Sequence, residues 1–306
     1  MTTESATQPE PPRPNALEMV GVAKEFRRGS APPFLAVTDV HATVADISGT
    51  GEFVCIVGPS GCGKSTVLQM IAGFDTHVPP TRGTIAFFGE PVRGPGADRG
   101  MLFQHYSCYP HLTVLDNIAF GVRLHAKELG LSKADIRQLA HEWLLKVKLR
   151  ESDARKYPNE LSGGMRQRVA LARCLALKPR CLLMDEPFSA LDEPTRYEMQ
   201  DLIVDLWAEI EATVVLVSHS VAEAVYLGDR VWVMSGAPGT IVREFADVIR
   251  PVPGEPSMVT QAKPGFAEAV AEVSHAFFSV LSTPREDLLP IHADGSGSGK
   301  PVGGDR

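Results

Sequence analysis

The stretch GPSGCGKST, Gly58 to Thr66, carries glycines, a lysine and a hydroxyl at the spacing G-x-x-x-x-G-K-[ST]. Glycines let the backbone curl until successive N–H groups point inward, and the start of a following helix adds a favourable potential for an anion. The run EFVCIVG before the loop and VLQMIAGF after it provide the strand and helix that such a loop requires. Gly58, Pro59, Ser60, Gly61, Cys62, Gly63, Lys64, Ser65 and Thr66 are therefore expected to cradle the phosphates of a nucleoside triphosphate. Lys64 would meet the β- and γ-phosphates, and Ser65 would ligate magnesium. Cys62 stands at an unrestricted position of the motif and is expected to be a small buried filler.

Far downstream, CLLMDEP (Cys181 to Pro187) ends an apolar run on two carboxylates. An acid at that place is costly without a partner. Beside a phosphate loop, Asp185 would hold magnesium and Glu186 would act on the attacking water as general base. His219 closes the next apolar run, in LVSHS, where a sensor of the terminal phosphate would stand; alone, a strand-end histidine is more often a structural hydrogen-bonder. A second glycine-rich helix start, LSGGMRQRVALARC (Leu161 to Cys174), offers free N–H groups and no side chain to block an anion.

These groups need elements to hold them. The chain has 306 residues, 44% of them apolar, enough for a large core without staples. A formal charge of −7 argues against binding nucleic acid through a broad basic surface. Cys55, Cys62, Cys108, Cys174 and Cys181 form no C-x-x-C pair, which points to reduced thiols and away from zinc. The opening MTTESATQPEPPRPN lacks the basic start and apolar core of a signal peptide, and no apolar run reaches the length of a bilayer.

EFVCIVG, CLLMDEP, TVVLVSH and RVWVMSG are nearly continuous apolar runs, as in parallel strands covered by helices on both faces. TIAFFGEPV and LEMVGVAKEF read as antiparallel strands beside them, and Ser132 to Leu149 as a serine-capped helix. The expected fold class is α/β: a parallel central sheet, a flanking antiparallel β subdomain and an α-helical subdomain inserted at about 105–175. The expected domain spans 16–245, with a C-terminal extension at 246–291 that carries a helix over Pro264 to Leu281. Residues 1–15, rich in proline, and 292–306, rich in glycine and serine, read as disordered or flexible tails.

In order and spacing, the motifs from about Leu17 to Phe245 resemble the ATP-binding subunits of ATP-binding cassette (ABC) transporters. The resemblance implies a P-loop NTPase core that uses ATP and Mg2+, and a head-to-tail dimer with a second copy of the chain. In that family the signature serine and glycines cap the γ-phosphate held by the partner copy. Ser162, Gly163 and Gly164 would therefore act in trans, with Gln167 as a further candidate. Gln104 would contact magnesium and the attacking water, Asp192 of SALD would couple the two sites, and Phe26 would stack on adenine where tyrosine is commoner. VADISGTG, Val44 to Gly51, departs from the family pattern by its length.

GPGADRGMLFQ, PHLTVLDNIAFGV and APGTIVREF resemble the nitrate, sulfonate and taurine importer group. That implies separate integral-membrane permease subunits, a groove near Gln104 to Leu115 for one of their helices, and indirectly a substrate-binding protein. It also implies a peripheral place on the cytoplasmic face of the inner membrane. The alternatives are an ATPase powering export or lipid extraction, and a non-transport cassette of DNA repair or the ribosome. The latter usually shows coiled coils, tandem cassettes or basic arms, and this sequence shows none.

Overall fold

A computed structural model describes residues 14–27, 29, 32–47, 51–74, 76–104, 108–246, 250–283, 287 and 288. Except for Pro14 and Asn15, both tails lie outside the described residues, as do three residues of the Val44 to Gly51 segment. In chain order the elements begin with β1 (Leu17–Phe26), β2 (Phe34–Val44), β3 (Phe53–Val57), α1 (Lys64–Ala72), β4 (Arg82–Phe87), β5 (Glu90–Pro91) and β6 (Arg99–Leu102). Helices α2 (Val114–Leu124), α3 (Ala126–Leu129), α4 (Lys133–Lys146) and α5 (Gly163–Leu175) follow without an intervening strand. The chain then runs through β7 (Cys181–Asp185), α6 (Glu193–Glu209), β8 (Thr213–Val217), α7 (Val221–Leu227), β9 (Arg230–Met234), β10 (Ile241–Ala246), α8 (Ser257–Gln261) and α9 (Pro264–Ser282).

The strands form a six-stranded sheet in the order β10-β9-β3-β8-β7-β6 and a four-stranded sheet in the order β2-β1-β4-β5. The larger is parallel except for its edge strand β10, and the smaller is antiparallel. Side chains alternate between faces along a strand, and here both faces are buried. Phe53, Cys55 and Val57 of β3 join one core with the helices α2, α4 and α5, whereas Val54 and Ile56 join a second core with α1 and the antiparallel sheet. The same split runs through β7, β8 and β9, which explains why these strands read as unbroken apolar runs.

Helix α4 starts where the sequence places it: the Ser132 hydroxyl accepts from Asp135 N, and the Asp135 carboxylate accepts from Ser132 N. Helix α9 buries Phe266, Val273 and Val280, spaced seven apart, against the sheet core. Three strands have no counterpart in the sequence reading. β6 and β10 are edge strands, and β2, broken by register shifts against β1, lacks clean alternation.

The two sheets meet tightly where β2 runs past Gly239. Val37 of β2 bridges Gly239, with Thr38 N donating to Gly239 O (2.9 Å) and Gly239 N to Ala36 O (2.9 Å). A Cβ on Gly239 would fall 1.9 Å from the carbonyl oxygen of Cys62, so this contact also sits under the glycine-rich loop. Gly239→Ala is expected to destabilise the chain by on the order of 2–3 kcal/mol, read as an earlier urea midpoint, and to weaken nucleotide binding. An unchanged midpoint would mean that the loop yields without cost.

Candidate active site

The glycine-rich loop links β3 to α1. Gly63 occupies the N-cap of α1 with φ at 102°, and a Cβ there would lie 2.4 Å from Val37 Cγ1. Glycine is thus required twice over, by backbone conformation and by close approach. Lys64 is buried, and its Nζ donates to the carbonyls of Gly58 (2.9 Å) and Pro59 (3.0 Å), which aims the ammonium along the loop. Cys62 is fully buried beneath, with Sγ 4.0 Å from Lys64 Nζ, and burial pushes its thiol up. This matches the expected filler.

The acidic pair ends β7. Asp185, 8% exposed, accepts a hydrogen bond from Ser65 Oγ at 2.9 Å, so the two groups read as magnesium ligands stand side by side. Burial raises the Asp185 carboxyl, the Ser65 hydrogen bond opposes that, and the nearby Glu186 charge adds to it. Glu186 takes φ at 47°, unusual for a residue with a side chain. The turn carries its carboxylate out of the strand line to lie between two partners. Oε1 is 2.5 Å from His219 Nε2, and Oε2 accepts from Gln104 Nε2 at 3.0 Å.

Each partner is itself held. Around His219, Ser220 N donates to Ser218 Oγ (2.9 Å) and that hydroxyl donates to Glu223 (2.6 Å). Gln104 Nε2 also donates to Ser189 Oγ at 3.4 Å. Farther along the chain, buried Asn117 accepts from Tyr109 N (2.7 Å) and donates to the carbonyls of Tyr109, Leu112 and Thr113, which fixes the start of α2.

A cleft of about 560 Å3 runs along the loop. Lys64, Glu186 and His219 line one part of it, and Phe26, Phe34 and His77 another. Ser60, Gly61, Gly63, Ser65 and Thr66 also face it, whereas Gly58, Pro59 and Cys62 serve from beneath. Nothing in the sequence analysis points to Phe34 or His77. Phe34 is brought to Phe26 by the antiparallel register of β1 and β2, a pairing that no local pattern announces.

The sequence profile described as ABC transporter matches residues 45–189. The chain is 51% identical over 196 residues to the nitrate import ATP-binding protein NrtD of Synechocystis sp., covering 64% of this chain and 71% of that protein. It is 42% identical over 241 residues to the taurine import ATP-binding protein TauB of Mesorhizobium japonicum, covering 78% and 90% respectively. The chain belongs to the ABC transporter family. A solved relative, the ATP-binding cassette MJ0796 in a dimeric post-hydrolysis state bound to ADP and Pi, matches with a TM-score of 0.65 at 32% identity, covering 75% of this chain and 98% of that one.

In this ABC cassette the signature segment does not line the chain's own cleft. Ser162 is the exposed N-cap of α5, its hydroxyl accepting from Met165 N at 3.2 Å. A Cβ on Gly164 would lie 2.6 Å from Thr195 Cγ2, so the helix start packs tightly against the first turn of α6, whose N-cap is the exposed Asp192. Gln167 requires a correction. It is 0% exposed and its Nε2 donates to Pro187 O at 2.6 Å, so it braces the segment after Glu186 and offers nothing to a partner copy. Its place, one helical turn beyond Gly163, turns it to the inner face of α5.

A carboxyl whose folded pKa is raised binds its proton more readily in the folded chain, so stability falls as pH rises from the ordinary aspartate range through the raised value. Above that window the cost is constant. Asp185→Asn, which keeps an acceptor for Ser65, is therefore expected to raise the thermal midpoint at pH 7 without nucleotide while lowering magnesium-dependent ATPase activity. Calorimetry paired with phosphate release checks both; a lower midpoint would show that the carboxylate is net favourable.

Proposed function

We propose that this chain is the ATP-hydrolysing subunit of an ABC importer for a small solute of the nitrate, sulfonate or taurine group. The names of the similar proteins support the direction and the solute class. The observation that carries the chemistry is the Glu186 carboxylate, held at 2.5 Å by His219 and 3.0 Å by Gln104 next to the phosphate loop.

ATP would lie along the cleft with its phosphates on the loop N–H groups of residues 60–66 and its base by Phe26. Lys64 would turn from the Gly58 and Pro59 carbonyls to the β- and γ-phosphates. Ser65 and Asp185, both hard oxygen donors 2.9 Å apart, fit Mg2+, with Gln104 as a further ligand. When bound, that ion neutralises charge on the phosphate oxygens. Glu186 would accept the proton of the attacking water, while His219 orients the carboxylate and faces the γ-phosphate.

Ser162, Gly163 and Gly164 would complete the pocket of a second copy, which accounts for an anion-binding helix start placed outside the chain's own cleft. Asp192, against the same α5–α6 contact, would couple the two sites. ATP, by favouring the closed pair, would shift the integral-membrane permease subunits between conformations. The assembly would draw its cargo from a substrate-binding protein, with this chain peripheral at the cytoplasmic face of the membrane. Residues 16–245 would form the cassette, with 105–175 as the helical subdomain that meets the permease and 246–291 as an extension braced on the sheet.

Glu186→Gln is expected to keep ATP binding, to slow hydrolysis by orders of magnitude and to trap an ATP-bound dimer. Size exclusion with ATP together with phosphate release tests this; unchanged turnover removes Glu186 from its role. Purification with a permease but with an outward-facing adaptor in place of a substrate-binding protein would favour export.

A further inference from the structure

The cleft's second end has more structure than one aromatic ring. Phe26 sits opposite Phe34 in the β1–β2 register, and Phe34, 52% exposed, turns into the same cleft. Lys24 Nζ, tied to Pro79 O at 3.2 Å, stands over the Phe26 ring 5.6 Å from its centroid and so covers one of its faces. His77 stands at a steep angle to Phe26, with ring centroids 5.2 Å apart and planes at 71°. Its backbone is pinned by His77 N donating to Phe74 O at 2.7 Å.

The chemistry of that imidazole is defined by its neighbours. Burial and the adjacent Lys24 charge both lower its pKa and so favour the neutral ring. Thr76 Oγ1 lies 2.7 Å from Nδ1. With that hydroxyl donating to Nδ1, the neutral ring carries its proton on Nε2, which has no hydrogen-bond partner among the described residues. A donor beside an aromatic face suits a flat heterocycle that stacks on the face and presents ring-nitrogen acceptors at its edge. A purine has that shape, and a bare phosphate chain does not.

We infer that Phe34 and His77 complete a base-recognition corner around Phe26, with His77 Nε2–H donating to a ring nitrogen of the bound purine and Phe34 closing the apolar side. This rests on the proposed ATP reading and deepens it. The phosphate end supplies charge and cannot tell one nucleotide from another, or a nucleotide from inorganic polyphosphate. The corner would supply that distinction.

Binding of ATP and of inorganic tripolyphosphate, measured by calorimetry with EDTA present so that neither is hydrolysed, separates the two ends. The wild-type chain should prefer ATP. His77→Ala should weaken ATP by roughly tenfold, as for a lost hydrogen bond to a buried edge, and leave tripolyphosphate unchanged, which also reports an intact fold. His77→Gln, which keeps an N–H donor, should recover most of the loss, and Phe34→Ala should weaken ATP alone. His77→Ala that leaves ATP unchanged, or that weakens both ligands alike, overturns the corner while the ATP reading stands. A wild-type chain that binds tripolyphosphate as tightly as ATP overturns the base site as a whole, and one that binds neither overturns the nucleotide reading beneath it.

Discussion

Parallel register is the constraint on which everything else in this molecule depends. Ile56 pairs with Val217 across β3 and β8, and Asp185 pairs with the same Val217 across β8 and β7. Three strands from distant parts of the chain therefore end at one edge of the sheet, and the next residue or two of each, Gly58, Glu186 and His219, meet there. Parallel strands all present their C-terminal ends on the same side, so a crevice at that edge collects groups from several connections. An antiparallel sheet of the same sequences would have scattered them.

That convergence creates an electrostatic problem which the local geometry answers. Two adjacent carboxylates leave a buried strand, and the inner one is raised by its burial. Among the described residues its hydrogen-bond partner is the Ser65 hydroxyl. The outer one escapes the core by adopting a left-handed backbone, which moves it to His219 and Gln104. Backbone strain of this kind persists only where the surroundings over-determine it. Here the Glu186 N–H bond to Val217 O, the buried Gln167 bond to Pro187 O and the Ser189 bond to Glu186 O fix the turn from three sides. Gln167, of the signature helix, is thereby part of this chain's own turn.

The second constraint is the absence of side chains at three contacts. Gly63 lets α1 start against Val37, Gly239 lets β2 reach the loop from below, and Gly164 lets α5 meet α6. The antiparallel sheet is thus docked on the phosphate loop rather than loosely attached, so the aromatic corner on β1 and β2 keeps a set distance from Lys64. The C-terminal helix α9 adds a brace on the opposite core through Phe266, Val273 and Val280.

By itself the sequence determined the features that depend on short-range chemistry. The phosphate loop, the acid pair, the capped helix α4, the apolar parallel strands and the signature helix start all follow from residue type, spacing and periodicity, which act within a few residues of one another. The family followed too, because its motifs keep a fixed order. Tertiary structure alone decided what rests on pairing across long separations: the β2 strand that brings Phe34 to Phe26, the loop that brings His77 against Phe26, the inward turn of Gln167, and the meeting of Gln104 with Glu186. Each is a matter of register, packing distance or which helix face meets the core, and such relations leave no local pattern because the partners lie far apart along the chain.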